Sequence, residues 1–154
     1  MKITRTISAN LLIALTLSAL DLCGAANAQI DEALVEQITG VKGAYNDTEH
    51  VLRISVPRTD VPVKVDQWAM PPFMGLTSWA AFTPGKKQNV MVMGDLVLFQ
   101  DEVNPVMGVA FANGLDVTAL HNHFFYDEPK VYFMHVVGEG PLDKMAEAVR
   151  GDNR

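Results

Sequence analysis

The spacing of apolar residues changes repeatedly along this chain, and each change marks an element. Ile30, Leu34, Val35 and Ile38 recur at helical spacing, with acids ahead of them and Gly40 behind. That pattern predicts a short helix over residues 31–39, closed by a residue free to take a left-handed backbone. The period then falls to two. Residues 51–56 and 61–65 are rich in β-branched side chains, and Pro57 and Pro62 suit strand ends or edges. Residues 78–82 and Val90–Phe99 continue as strands, separated by Thr83-Pro84-Gly85-Lys86-Lys87, which is turn chemistry. Met70-Pro71-Pro72-Phe73-Met74-Gly75 reads as a rigid apolar loop, because adjacent prolines remove backbone donors and fix φ. Val106, Val109, Ala110 and Ala112 predict a helix over Val103–Ala112, entered near Asn104-Pro105 and closed by Asn113-Gly114. Residues 116–124 and 130–137 are two further strands joined through 125–129, and residues 141–150 form a last amphipathic helix. Clustered strands with short helices inserted predict one α+β domain over residues 29–154, with a largely antiparallel sheet.

The first 28 residues stand outside that pattern. Lys2 and Arg5 precede the apolar run Leu11-Leu12-Ile13-Ala14-Leu15-Thr16-Leu17-Ser18-Ala19-Leu20, and Ala26-Asn27-Ala28 supplies a small-x-small cleavage signature. This is the composition of a secretory signal peptide, so residues 1–28 are expected to be removed and the protein to be exported, periplasmic or secreted. Leu22 rather than a small residue precedes Cys23, which disfavours lipid anchoring there. Cleavage after Ala28 would remove the chain's one cysteine, and with it thiol catalysis and disulfides. No later apolar stretch is long enough to span a bilayer, so no integral membrane segment is expected in the mature chain. The 154 residues carry 12 Lys+Arg against 18 Asp+Glu, a net charge of −6. That balance, with no basic run longer than Lys86-Lys87, argues against nucleic acid as a partner.

The sharpest chemical signal is histidine. Of four in the chain, His121, His123 and His135 fall in the last two predicted strands. Side chains alternate across a strand, so His121 and His123 share a face. A hairpin centred near Glu128 would set His121 opposite His135 and His123 opposite Phe133, gathering three imidazoles among Val117, Ala119, Val131, Phe133 and Val137. Opposed Cβ atoms lie ~5 Å apart and diagonal ones ~7 Å, within reach of one ion with nitrogen ligands at ~2.0–2.1 Å. Carboxylates stand near in sequence, Glu128 favoured as a fourth ligand or base, then Glu102, with Asp127 and Asp95 also close. The bland alternative is a set of imidazoles satisfied by carbonyls and acids, with Glu102 merely at a helix start. Met91 and Met93 share a strand face and suit Cu(I), but methionine is a common core filler, so zinc is preferred to copper. There is no nucleophile elbow and no phosphate-cradling glycine loop.

Several runs are more distinctive than any single residue: Met70-Pro71-Pro72-Phe73-Met74-Gly75-Leu76-Thr77-Ser78-Trp79-Ala80-Ala81-Phe82, Met93-Gly94-Asp95-Leu96-Val97-Leu98, Asp101-Glu102-Val103-Asn104-Pro105-Val106-Met107 and Thr118-Ala119-Leu120-His121-Asn122-His123, followed by Glu128-Pro129 and Phe133-Met134-His135. Together they resemble the LppY/LpqO family of bacterial exported proteins and lipoproteins, a domain of unknown function. The resemblance covers nearly all of the chain after the leader and implies an exported one-domain protein, with no activity attached. The expectation is therefore an exported protein that binds a divalent metal through His121, His123 and His135, with a small molecule at the metal if it is an enzyme. The competing expectation is a non-enzymatic periplasmic binding or envelope-interaction module whose histidines are structural.

Overall fold

The computed structural model describes residues 30–86 and 89–150. The leader over 1–28, with Cys23, lies outside the described residues. Along the chain come α1 (Glu32–Thr39), β1 (Ala44–Asn46), β2 (Val51–Pro57), β3 (Lys64–Val65), β4 (Trp68–Ala69), a 3-10 turn (Pro72–Met74), β5 (Thr77–Pro84), β6 (Val90–Phe99), α2 (Val103–Ala112), β7 (Asp116–His121), β8 (Asp127–Glu128), β9 (Val131–Gly140) and α3 (Leu142–Arg150). The main sheet runs β1-β2-β5-β6-β9-β7 with every neighbouring pair antiparallel, and a small sheet runs β4-β3-β8. This is the expected α+β domain.

Alternation along the strands decides what each face does. In β6, Val90, Val92 and Gly94 are buried, whereas Met91 and Asp95 are half-buried and Met93 is exposed. The buried set joins Leu52, Ile54, Ala80, Phe82, Met134 and Val136 beneath the three helices. Complete burial of a side chain such as Phe82 or Leu52 contributes about 1.5–3 kcal/mol. The helix over α1 forms where its caps allow: the Leu34 amide donates to the Asp31 carboxylate at 3.0 Å, and Gly40 closes the helix at φ 72° with its amide on the Glu36 carbonyl. Gly94 holds two strands close, since a Cβ there would lie 2.9 Å from the Trp79 carbonyl and 3.1 Å from Val136 Cγ2. Gly94→Ala should therefore destabilise the domain by about 1–2 kcal/mol in urea unfolding, through overpacking against backbone that cannot yield.

The opposite face of the main sheet is covered only at one end. There the small sheet closes a second core of Val63, Met70, Leu76, Val97, Phe99, Val131 and Phe133. Three expectations are corrected in this region. The strand expected over 61–65 shrinks to Lys64–Val65, paired with β4 and β8. The strand expected over 116–124 stops at His121, after which the chain leaves the main sheet to form β8. A bulge between Val117 and Ala119 turns Val117 onto the helix-covered side, where it packs against the main core rather than beside the histidines. The Pro-Pro loop includes one 3-10 turn, Pro72–Met74.

Candidate metal site

The β7–β9 register differs by two residues from the hairpin inferred above. His121 stands opposite Phe133, and His135 stands opposite Ala119. A shift of two leaves side-chain parity intact, so His121 and His135 still emerge on one face as diagonal neighbours. Their Nε2 atoms are 3.0 Å apart and their ring centroids 5.0 Å. On the other side of β9, Asp95 of β6 is directly opposite His135, and its Oδ1 lies 3.7 Å from His135 Nε2. That oxygen is buried and has no hydrogen-bond partner among the described residues. Leaving a buried carboxylate oxygen unpaired is costly, which marks it as a donor atom in want of a cation.

His123 lies past the end of β7. Its ring stacks on Phe133 with centroids 3.5 Å apart and planes 11° from parallel, and sits 4.9 Å from the His121 ring. Burial of that ring against its neighbours, reinforced by the imidazoles of His121 and His135 and opposed by Asp95, holds His123 below the ordinary histidine range. The residue as a whole is exposed; it is the ring face on Phe133 that is shielded from water. A neutral imidazole keeps a lone pair available for ligation.

The two glutamates favoured from the sequence are placed elsewhere. Glu102 accepts from Arg58 Nη1 at 2.7 Å and Nη2 at 3.1 Å and from the Phe99 amide at 2.8 Å, so its carboxylate closes the end of β6. Glu128 belongs to the small sheet, opposite Lys64. Asp127 is buried, accepting from Lys130 Nζ at 2.6 Å and the Val131 amide at 2.8 Å. The carboxylate beside the histidines is Asp95 of β6. Its signal was an acid inside an otherwise apolar strand.

Two nitrogens bound to one ion at about 2.0–2.1 Å lie roughly 3.0–3.4 Å apart, so the His121–His135 separation suits a shared cation, and Asp95 offers an oxygen beside it. Without an ion, the same 3.0 Å is a hydrogen bond between the two rings, one nitrogen donating and the other accepting. Among the described residues, no group of three or more His, Cys, Asp or Glu side chains already has the geometry to hold a metal. The His123 ring lies flat on Phe133. Beside it, a cavity of about 330 Å³ is lined by Asn122, His123, Phe124, Phe125, Lys130 and Tyr132. Among the described residues no helix is long and apolar enough to cross a membrane. No curated protein and no solved structure matches the chain. Residues 33–152 match the profile described as Domain of Unknown Function (DUF1259), which spans most of the sequence, and the chain belongs to that family.

Proposed function

We propose that this domain is an exported protein that binds a divalent metal ion, zinc before copper, on the open face of its main sheet. His121 and His135 would supply the paired nitrogens, Asp95 the oxygen, and His123 a further nitrogen once its ring turns away from Phe133. The observation that carries this reading is the 3.0 Å Nε2–Nε2 separation beside the buried, unpaired Asp95 Oδ1. Export rests on the leader at residues 1–28 and on the resemblance to the LppY/LpqO family. A bound ion with an exchangeable position would act as a Lewis acid on a small molecule. The cavity beside His123 is where such a molecule would lie.

Metal analysis after equilibration with Zn²⁺ should find one ion per chain. His121→Ala and His135→Ala should each lose it, and Asp95→Asn should weaken binding at least about tenfold, as loss of a supporting carboxylate does elsewhere. Glu128→Gln should leave affinity unchanged. Chelation should lower the melting temperature at pH 7.5, because an ion at 100 times its dissociation constant stabilises the fold by about 2.7 kcal/mol. Protein that stays metal-free, with melts indifferent to chelator and to His121→Ala, would establish the alternative, a module whose histidines form a structural hydrogen-bonded pair.

A further inference from the structure

Among the described residues, the helix-covered side of the main sheet, away from the histidines, is not filled. Across its middle runs the row Ile54–Ala80–Gly94–Val136, in which two of four positions are too small to reach the helices. The helices answer with small residues of their own, Ala110 of α2 and Ala148 of α3, both buried. Two adjoining hollows result. One, of about 240 Å³, extends under α2 toward Val106 and Leu115; the other, of about 160 Å³, extends toward Val41 and Val56 beyond the end of α1. Ala80, Leu96, Val149 and Arg150 line both, so the last turn of α3 straddles a single apolar trough.

A hydrophobic interior is ordinarily close-packed, and an apolar hollow of this size holds water poorly and takes apolar ligands readily. Among the described residues the trough has one charged side chain. Arg150 is exposed, and among the described residues it pairs with no carboxylate; its Nη1 reaches only the Ile38 carbonyl, at 3.5 Å. A guanidinium is built to hold a carboxylate with two parallel hydrogen bonds. An apolar trough with a guanidinium at its rim matches a molecule with one anionic head and one unbranched hydrocarbon tail. We infer that the domain binds a free medium-chain fatty carboxylate between its sheet and helices, the head on Arg150 and the tail between Ala80 and the alanines of α2 and α3.

This site lies on the opposite face from the proposed metal and is independent of it. The test is calorimetric titration of the purified protein with decanoate in the presence of chelator, so that a carboxylate at the histidines contributes nothing. Saturable one-to-one binding is expected, weakened about tenfold or more by Arg150→Gln and abolished by Val106→Trp, which fills the larger hollow from its rim. Decanol should bind wild-type protein no better than decanoate binds Arg150→Gln. Methyl NMR guards against a variant that misfolds: decanoate should shift the Ala80, Ala110 and Ala148 methyls of the wild-type protein. Absence of saturable binding, equal affinity in Arg150→Gln, or shifts confined to the exposed Phe73 and Phe125 region would each overturn the inference.

Discussion

Replacing Phe133 with alanine should cost about 3–5 kcal/mol of stability and weaken metal binding in the same variant. Phe133 is 2% exposed and sits where the second core and the candidate site meet. Across β6 it faces Val97, across β7 it faces His121, and its ring carries His123 on one face and meets the edge of Phe124 at 6.2 Å. Truncation would leave a cavity beneath the small sheet, whose short strands cannot collapse to fill it without breaking their few pairings. It would also remove the wall behind His121, so an imidazole now held near its position would have to be ordered by the ion itself. Since a domain of this size holds only about 5–15 kcal/mol in all, the loss should show as a large drop in urea midpoint. Phe133→Leu keeps most of the volume and should cost under about 1.5 kcal/mol. An alanine variant within 1 kcal/mol of wild type would show that the small sheet is dispensable.

The parts of this arrangement that could be read from sequence are those set by near neighbours. The helices appear within a residue or two of their expected bounds, α1 and α2 because Asp31, Gly40, Pro105 and Asn113 punctuate them locally. The small sheet was illegible for the opposite reason. Its strands are two residues long, and β3 turns into β4 through Asp66 and Gln67, both at positive φ, without the Asn-Gly or Asp-Gly pair that announces such a turn. The shared face of His121 and His135 was legible because parity survives an even shift of register. The register itself was not, since the connection after His121 pairs with β3 and a bulge at Thr118 offsets the strand. The carboxylate was misjudged by proximity in sequence. Asp95 meets His135 only because β6 and β9, forty residues apart, lie side by side, and Glu102 is claimed by Arg58, 44 residues before it.

That claim carries the second large effect. Arg58→Ala should destabilise the domain by about 3 kcal/mol, toward the lower end for breaking a buried ion pair because Asp60 and part of Glu102 face solvent. Arg58 leaves β2 just after Pro57 and ties three segments together. It donates to Glu102 at 2.7 and 3.1 Å, to the Val97 carbonyl at 2.9 Å and to Asp60 at 2.9 and 2.7 Å, and its guanidinium lies 4.3 Å over the Phe99 ring. Removing it strands the Glu102 carboxylate and the Val97 carbonyl at the rim of the second core. The hydrogen bonds from Arg58 hold Glu102 and Asp60 below the ordinary carboxylate range, and those to both carboxylates raise Arg58 still further above its own. For acids whose folded pKa is depressed, the stabilisation is fully present above the unfolded values of 4.5 and 3.8 and is lost as pH falls through the folded ones. Wild-type stability should therefore decline below about pH 4.5, and the decline should be shallower in Arg58→Ala, whose two acids titrate near their unfolded values. Urea unfolding at pH 7 and pH 3.5 measures both effects. A penalty for Arg58→Ala equally large at the two pH values would assign it to lost packing over Phe99 rather than to the ion pairs.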